Sequence, residues 1–218
     1  MSTSIPLNDL QDYDPLEEKL NVWTHGIGAV VAVFAGIVLL YQSSSLSIGL
    51  WLGVLVYVLS LILMLSSSTL YHQAKTQSKR HWFKKLDHIA IYYLIAGTYT
   101  PFLSINIPTA KAHYLLIALW VIAIIGTVFK LGLAHRFQKI SLLAYLLMGW
   151  FAVLMFDDMQ HYLKPECLKL LVIGGLAYTI GALFYALKKI RFTHVIWHIF
   201  VLIGAGSHFL AVYLYAIH

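Results

Sequence analysis

Seven stretches of this 218-residue chain are long and apolar enough to cross a bilayer, and little of the chain lies between them. A helix needs about 20 apolar residues to span the hydrocarbon core. Within that core every backbone N–H and C=O must find its partner inside its own segment or in a closed barrel. The stretches lie near 22–41, 48–71, 87–105, 113–131, 139–157, 167–187 and 194–216. Only 11% of the residues are charged, against about 25% in soluble domains. The expected fold is all-α: a polytopic membrane protein of seven transmembrane helices, with neighbours antiparallel because their connections are short. Residues 21–218 make this one domain, and residues 1–20 make an acidic cytoplasmic N-terminal tail. The tail is not a secretory signal, because Asp9, Asp12, Asp14, Glu17 and Glu18 stand there against Lys19 alone.

Orientation follows from Lys and Arg. The second connection holds Lys75, Lys79, Arg80, Lys84 and Lys85. The fourth holds Lys130, Arg136 and Lys139, and the sixth holds Lys188, Lys189 and Arg191. With Lys19 these make twelve on one side, against Lys111, Lys164 and Lys169 on the other. The positive-inside rule places the N-terminus in the cytoplasm and the C-terminus outside. The formal net charge of +6 is explained by these loops, so the expected partners are membrane lipids and not nucleic acid. The single cysteine, Cys167, excludes an intrachain disulfide and reads as a small apolar packing residue.

Ionisable residues inside a span are costly in hydrocarbon and mark function. Four helices bring theirs to one depth at the cytoplasmic side. The first opens with Asn21-Val22-Trp23-Thr24-His25, and the second closes with Ser68-Thr69-Leu70-Tyr71-His72. The third opens with Asp87-His88, and the seventh with His194-Val195-Ile196-Trp197-His198. His194 and His198 are four apart on a helix, so both imidazoles can reach one metal ion. His72 lies at the depth of a third ligand. Three histidines with an open fourth position are the arrangement of a catalytic zinc. Asp87 is the only acid between Glu18 and Asp157, and it reads as the base beside such a centre. Each feature also has a plainer reading: a chance H-x3-H, a wet interfacial His72, Asp87 paired with Lys84 or Lys85, Ser68 bonded to its own helix, Asn21 as a cap. Their coincidence at one depth favours a site. His25 is placed beside the metal and not on it. His208, ten residues past His198, is roughly 15 Å further along the helix and too deep to join. Gly97-Thr98-Tyr99-Thr100-Pro101 reads as a kink with close packing or as room for a substrate tail.

The ordered set Glu17-x3-Asn21-x2-Thr24-His25, Ser68-x3-His72, Asp87 and His194-x3-His198 resembles the haemolysin III family, the bacterial branch of the progestin and adipoQ receptor (PAQR) family. The resemblance runs from about residue 17 to 216. It implies seven helices with the N-terminus in the cytoplasm, in a bacterial inner (plasma) membrane. It implies zinc held by His72, His194 and His198, with Asp87 and Ser68 at the reacting centre and Asn21 and His25 behind it. Eukaryotic relatives of the family are linked to ceramide hydrolysis, and bacterial ones to haemolysis and membrane lipid homeostasis.

Three functions remain open on the sequence. The first is a zinc-dependent hydrolase of a lipid amide or ester. The second is a receptor or sensor with a non-catalytic zinc. The third is a haemolysin-like pore, which is disfavoured because the polar residues cluster at one end instead of running through the membrane.

Overall fold

A computed structural model describes residues 13–133, 138–187 and 190–217. Asp9 and Asp12 of the acidic tail, His135, Arg136, Lys188, Lys189 and His218 fall outside the described residues. Among the described residues the chain is helical and contains no strand. The helices are α1 (Pro15–Gln42), α2 (Ile48–Gln73), α3 (Gln77–Pro101), α4 (Ala110–Leu133), α5 (Gln138–Gly149), α6 (Phe156–Tyr162), α7 (Pro165–Ala186) and α8 (Thr193–Ala211). A short 3-10 stretch, Trp150–Met155, joins α5 to α6 as one span, and π turns extend α3 to Asn106 and α8 to Ala216. Six of the seven spans pass for membrane helices on length and apolarity alone. The other is α3, whose first turns carry Lys79, Arg80, Lys84, Lys85 and Asp87. Packing against α2 and α4 shelters it from lipid.

The apolar side chains point outward as well as inward. Trp23, Phe34 and Tyr41 on α1 and Ile117, Ile125 and Val128 on α4 are largely exposed. Apolar surface this continuous belongs against lipid and not water. The protein is an integral membrane protein.

α1 begins seven residues earlier than the apolar run suggests. Asp14 caps it by accepting the Leu16 N–H at 2.9 Å, Pro15 occupies the first turn, and Glu17 and Glu18 follow. Each of these favours a helix start: the cap and the fixed proline φ pre-form the turn, and acids suit the positive end of the helix dipole. The early start carries Glu18 to the depth of the polar cluster.

The helices form a ring. α1 packs on α2, α2 on α3, α7 on α8, and α8 returns to α1. The α5–α6 span closes the ring only loosely, touching α3 and α7, and α4 lies outside against α3. In the Gly-Thr-Tyr-Thr-Pro segment Gly97 provides close packing, while Thr98 and Tyr99 line a cavity. A Cβ on Gly97 would collide with Ser60, and the helix continues unbroken to Pro101. Tyr99 explains the irregular fifth span. Its hydroxyl donates to the Gly149 carbonyl at 2.5 Å and accepts the Ala152 N–H at 2.8 Å. A side chain inserted into the backbone ladder is a recognised cause of local rewinding, here from α-helix to 3-10.

Tyr99→Phe removes both bonds and strands two backbone groups where no water replaces them. The expected cost is about 1–3 kcal/mol, seen as a lowered unfolding midpoint of the detergent-solubilised protein. An unchanged midpoint would remove Tyr99 as the cause.

Candidate metal centre

Three imidazoles meet where α2 and α8 face each other. His72 closes α2, while His194 and His198 occupy successive turns at the start of α8. One ring nitrogen from each lies within 4.8 Å of the others, and all three residues are buried at the ligating atoms. His72 Nε2 and His194 Nε2 are 3.2 Å apart. Nitrogens bound tetrahedrally at about 2.0–2.1 Å from zinc stand about 3.3 Å from one another. That spacing also fits a ring-to-ring hydrogen bond. The convergence of the third nitrogen, from His198, is what marks a three-donor centre.

The partners of these rings fix which nitrogen is bare. His72 Nδ1 lies 2.8 Å from Glu18 Oε2. A carboxylate accepts, so His72 carries its proton on Nδ1 and turns Nε2 inward. His198 Nδ1 lies 3.1 Å from Thr24 Oγ1. The single Thr24 hydroxyl proton is directed at the Leu20 carbonyl at 2.8 Å, with the Asn21 carbonyl at 3.1 Å. Thr24 therefore accepts from His198 Nδ1–H and leaves Nε2 free to ligate. Outer partners of this kind orient metal-bound histidines and raise their basicity. The donor set thus fits a metal ion on its chemistry as well as its spacing.

α1 supplies the supporting wall. Glu18, Asn21 and His25 fall at i, i+3 and i+7, on one helix face. Asn21 is fully buried, and His25 stacks flat on His198 with ring centroids 3.6 Å apart. Arg80 at the start of α3 pairs with the other oxygen of Glu18 at 2.5 Å and lies over the Tyr71 ring. Glu18 falls within residues 1–20, which the sequence assigns to an acidic cytoplasmic tail. It instead joins three elements beneath the metal centre. The signal that could have found it is the Glu18/Asn21/His25 spacing behind the Asp14-Pro15 start.

Two further devices seat the trio. Phe192 adopts a left-handed conformation (φ 64°) immediately before α8. Such a φ is costly for a bulky residue, and Thr193 braces the turn by donating to the Leu187 and Ile190 carbonyls. Arg191 binds Asp14 at 2.6 Å, tying the start of α8 to the start of α1. Tyr13 then lies over His72 and His194, with centroids 5.6 and 4.9 Å away. Burial holds its phenol proton well above the ordinary tyrosine range.

Asp87 lines the same cavity as His194 and His198. Ser68 hydrogen-bonds its carboxylate, whereas Ser67 and Thr69 bond back to Met64 and Leu65. Lys84 and Lys130 are the nearby cations. Lys85 turns away to the Leu131 carbonyl and Trp82. Lys130, counted above among the loop cations, is almost fully buried beside His88, with its Nζ 3.4 Å from Nδ1. The cavity that Asp87, Ser68, His194 and His198 line measures about 1510 Å³ and runs down the ring past Leu94, Phe102 and Met155. Ile140, Val153 and Phe156 on the fifth span and Leu187 after α7 line it while also being exposed. The cavity therefore opens sideways at the loosely packed seam between these elements. His208 lines its deeper part, away from the trio.

The pattern of the haemolysin-III related family matches residues 13–209. The chain belongs to the haemolysin III family. It is 39% identical to Hemolysin-3 of Bacillus cereus over 202 residues, covering 92% of each chain. It is 36% identical to the Hemolysin-3 homolog of Bacillus subtilis, covering 92% of this chain and 95% of that one. The human monocyte to macrophage differentiation factor is 27% identical over 99% of this chain and 91% of its own length. No solved structure matches. The matched stretch of this haemolysin III member contains the trio, Glu18, Thr24 and Asp87.

Glu18→Gln replaces the carboxylate that orients His72. Metal affinity is expected to fall about 10–100-fold, read by competition with a chelator of known affinity. Unchanged affinity would mean that Glu18 plays no part in holding the ligand.

Proposed function

We propose that this protein is a zinc-dependent hydrolase of a lipid amide or ester, acting at the cytoplasmic face of a bacterial inner membrane and serving membrane lipid homeostasis. The observation that carries the reading is the shared cavity. His194 and His198 of the converging trio line it, a carboxylate braced by a serine lines it too, and its walls include residues exposed on the lipid side.

His72, His194 and His198 hold the ion. A zinc ion there supplies a Lewis acid for a carbonyl and an activated water as nucleophile. Asp87 takes the proton released in the attack and returns it to the leaving amine or alcohol. Ser68 keeps Asp87 in place, and it serves the developing oxyanion only by turning away from that bond. His25 and Thr24 hold the His198 ring, Glu18 holds the His72 ring, and Asn21 fills the gap beneath them. The apolar cavity takes the acyl chain and excludes water from everything but the reacting end. The seam beside α7 admits a lipid without lifting it out of the bilayer. The cytoplasmic placement rests on the Lys and Arg distribution.

Metal-loaded protein in detergent micelles, offered a panel of ceramides and ester lipids, should release free fatty acid detectable by mass spectrometry. Asp87→Asn should lower the rate by about 10²–10⁴-fold while leaving metal content at the wild-type level. No turnover of any lipid, or full activity in Asp87→Asn, would overturn the reading.

A further inference from the structure

Far from the metal centre and Asp87, the cavity is lined by one histidine, His208. His208 lies on α8 ten residues beyond His198, roughly 15 Å further along the helix, and it faces the otherwise apolar depth of the cavity. Its Nε2 is 3.1 Å from the Leu171 carbonyl. A carbonyl only accepts, so the ring proton sits on Nε2. In the neutral ring Nδ1 is then a bare acceptor.

The fold makes room for this ring on purpose. A Cβ on Gly174 would collide with the His208 imidazole, and a Cβ on Gly204 would stand 2.8 Å from the Tyr178 ring. Two glycines, one on α7 and one on α8, thus admit two rings from the opposite helices, with centroids 5.6 Å apart. Behind them the Tyr178 and Tyr57 hydroxyls are sealed from the cavity, each without a hydrogen-bond partner in the structure. They cannot serve a ligand in the cavity, whereas His208 Nδ1 is not sealed off in this way and can accept from one. A buried acceptor left unpaired in an apolar setting is costly.

We infer that His208 forms a second recognition point for a long-chain lipid, selecting a chain that bears a hydroxyl group about midway along its length. The hydroxyl donates to Nδ1, while the polar head occupies the metal-centre end. An ordinary saturated chain leaves the acceptor unmet, and an ether oxygen at the same place, having no proton, does the same. This inference rests on the cavity being a lipid site, as proposed above, but not on catalysis.

Free fatty acids separate the two claims, because they bind without being hydrolysed. The probes are stearate, stearate with a hydroxyl on the twelfth carbon, and the methyl ether of that hydroxyl. Each competes with a fluorescent fatty acid on the full-length protein in detergent. Wild-type protein should bind the hydroxy acid about fivefold more tightly than stearate, and the methyl ether no better than stearate. His208→Phe should abolish the preference while leaving stearate affinity unchanged, and His208→Gln, which keeps an acceptor, should retain part of it. Equal wild-type affinities for the three acids would overturn the inference and leave the lipid cavity standing. A preference that survives His208→Phe would overturn it too. Failure of all three to bind would remove the lipid cavity along with it. Should His208→Phe not fold, the methyl ether decides alone.

Discussion

The hydrogen bond between His72 and Glu18 is the interaction on which the rest of the site depends. It joins α1 to α2, directs the Nε2 lone pair of His72 toward α8, and through Arg80 reaches α3. Polar groups at this depth have no bulk water to fall back on. Where a partner on another helix satisfies one, as Glu18 does His72, the bond fixes where that helix stands. Thr24 does for His198 what Glu18 does for His72. The result is a centre whose ligands are oriented from behind by a single helix.

That arrangement also explains the uneven packing of the ring. α1, α2, α3 and α8 are locked together around the trio, whereas the fifth span touches its neighbours loosely. The weaker seam faces the lipid, where a substrate chain would enter. The Tyr99 hydroxyl inserted between Gly149 and Ala152, and the Tyr145 hydroxyl donating to the His88 carbonyl at 2.8 Å, hold the fifth span to α3 without closing that seam.

The spans were legible because length and apolarity are decisive in a bilayer, and their limits agree with the helices to within a few residues at most ends. His194 and His198 were legible from their four-residue spacing, and His72 and Asp87 from depth alone. What escaped was whatever depends on a partner distant in sequence. Glu18 fell in the tail because apolarity begins at residue 22, yet the helix begins at Pro15. Lys130 looked like a loop cation until α4 was laid against α3 and buried it beside His88. Of the two lysines that the plainer reading offers Asp87, Lys84 is near it with Ser68 and Lys130, while Lys85 turns away. The left-handed Phe192 carries no sequence signal, since glycine is the residue that ordinarily marks such a turn.

Metal content tests the central claim most directly. Elemental analysis of purified wild-type protein should find about one zinc ion per chain, as three histidine ligands with an open position imply. His72→Ala and His198→Ala, each still helical by circular dichroism, should lose it. A folded wild-type protein that retains no metal after exposure to zinc would contradict the account, and the buried histidines would then need another purpose.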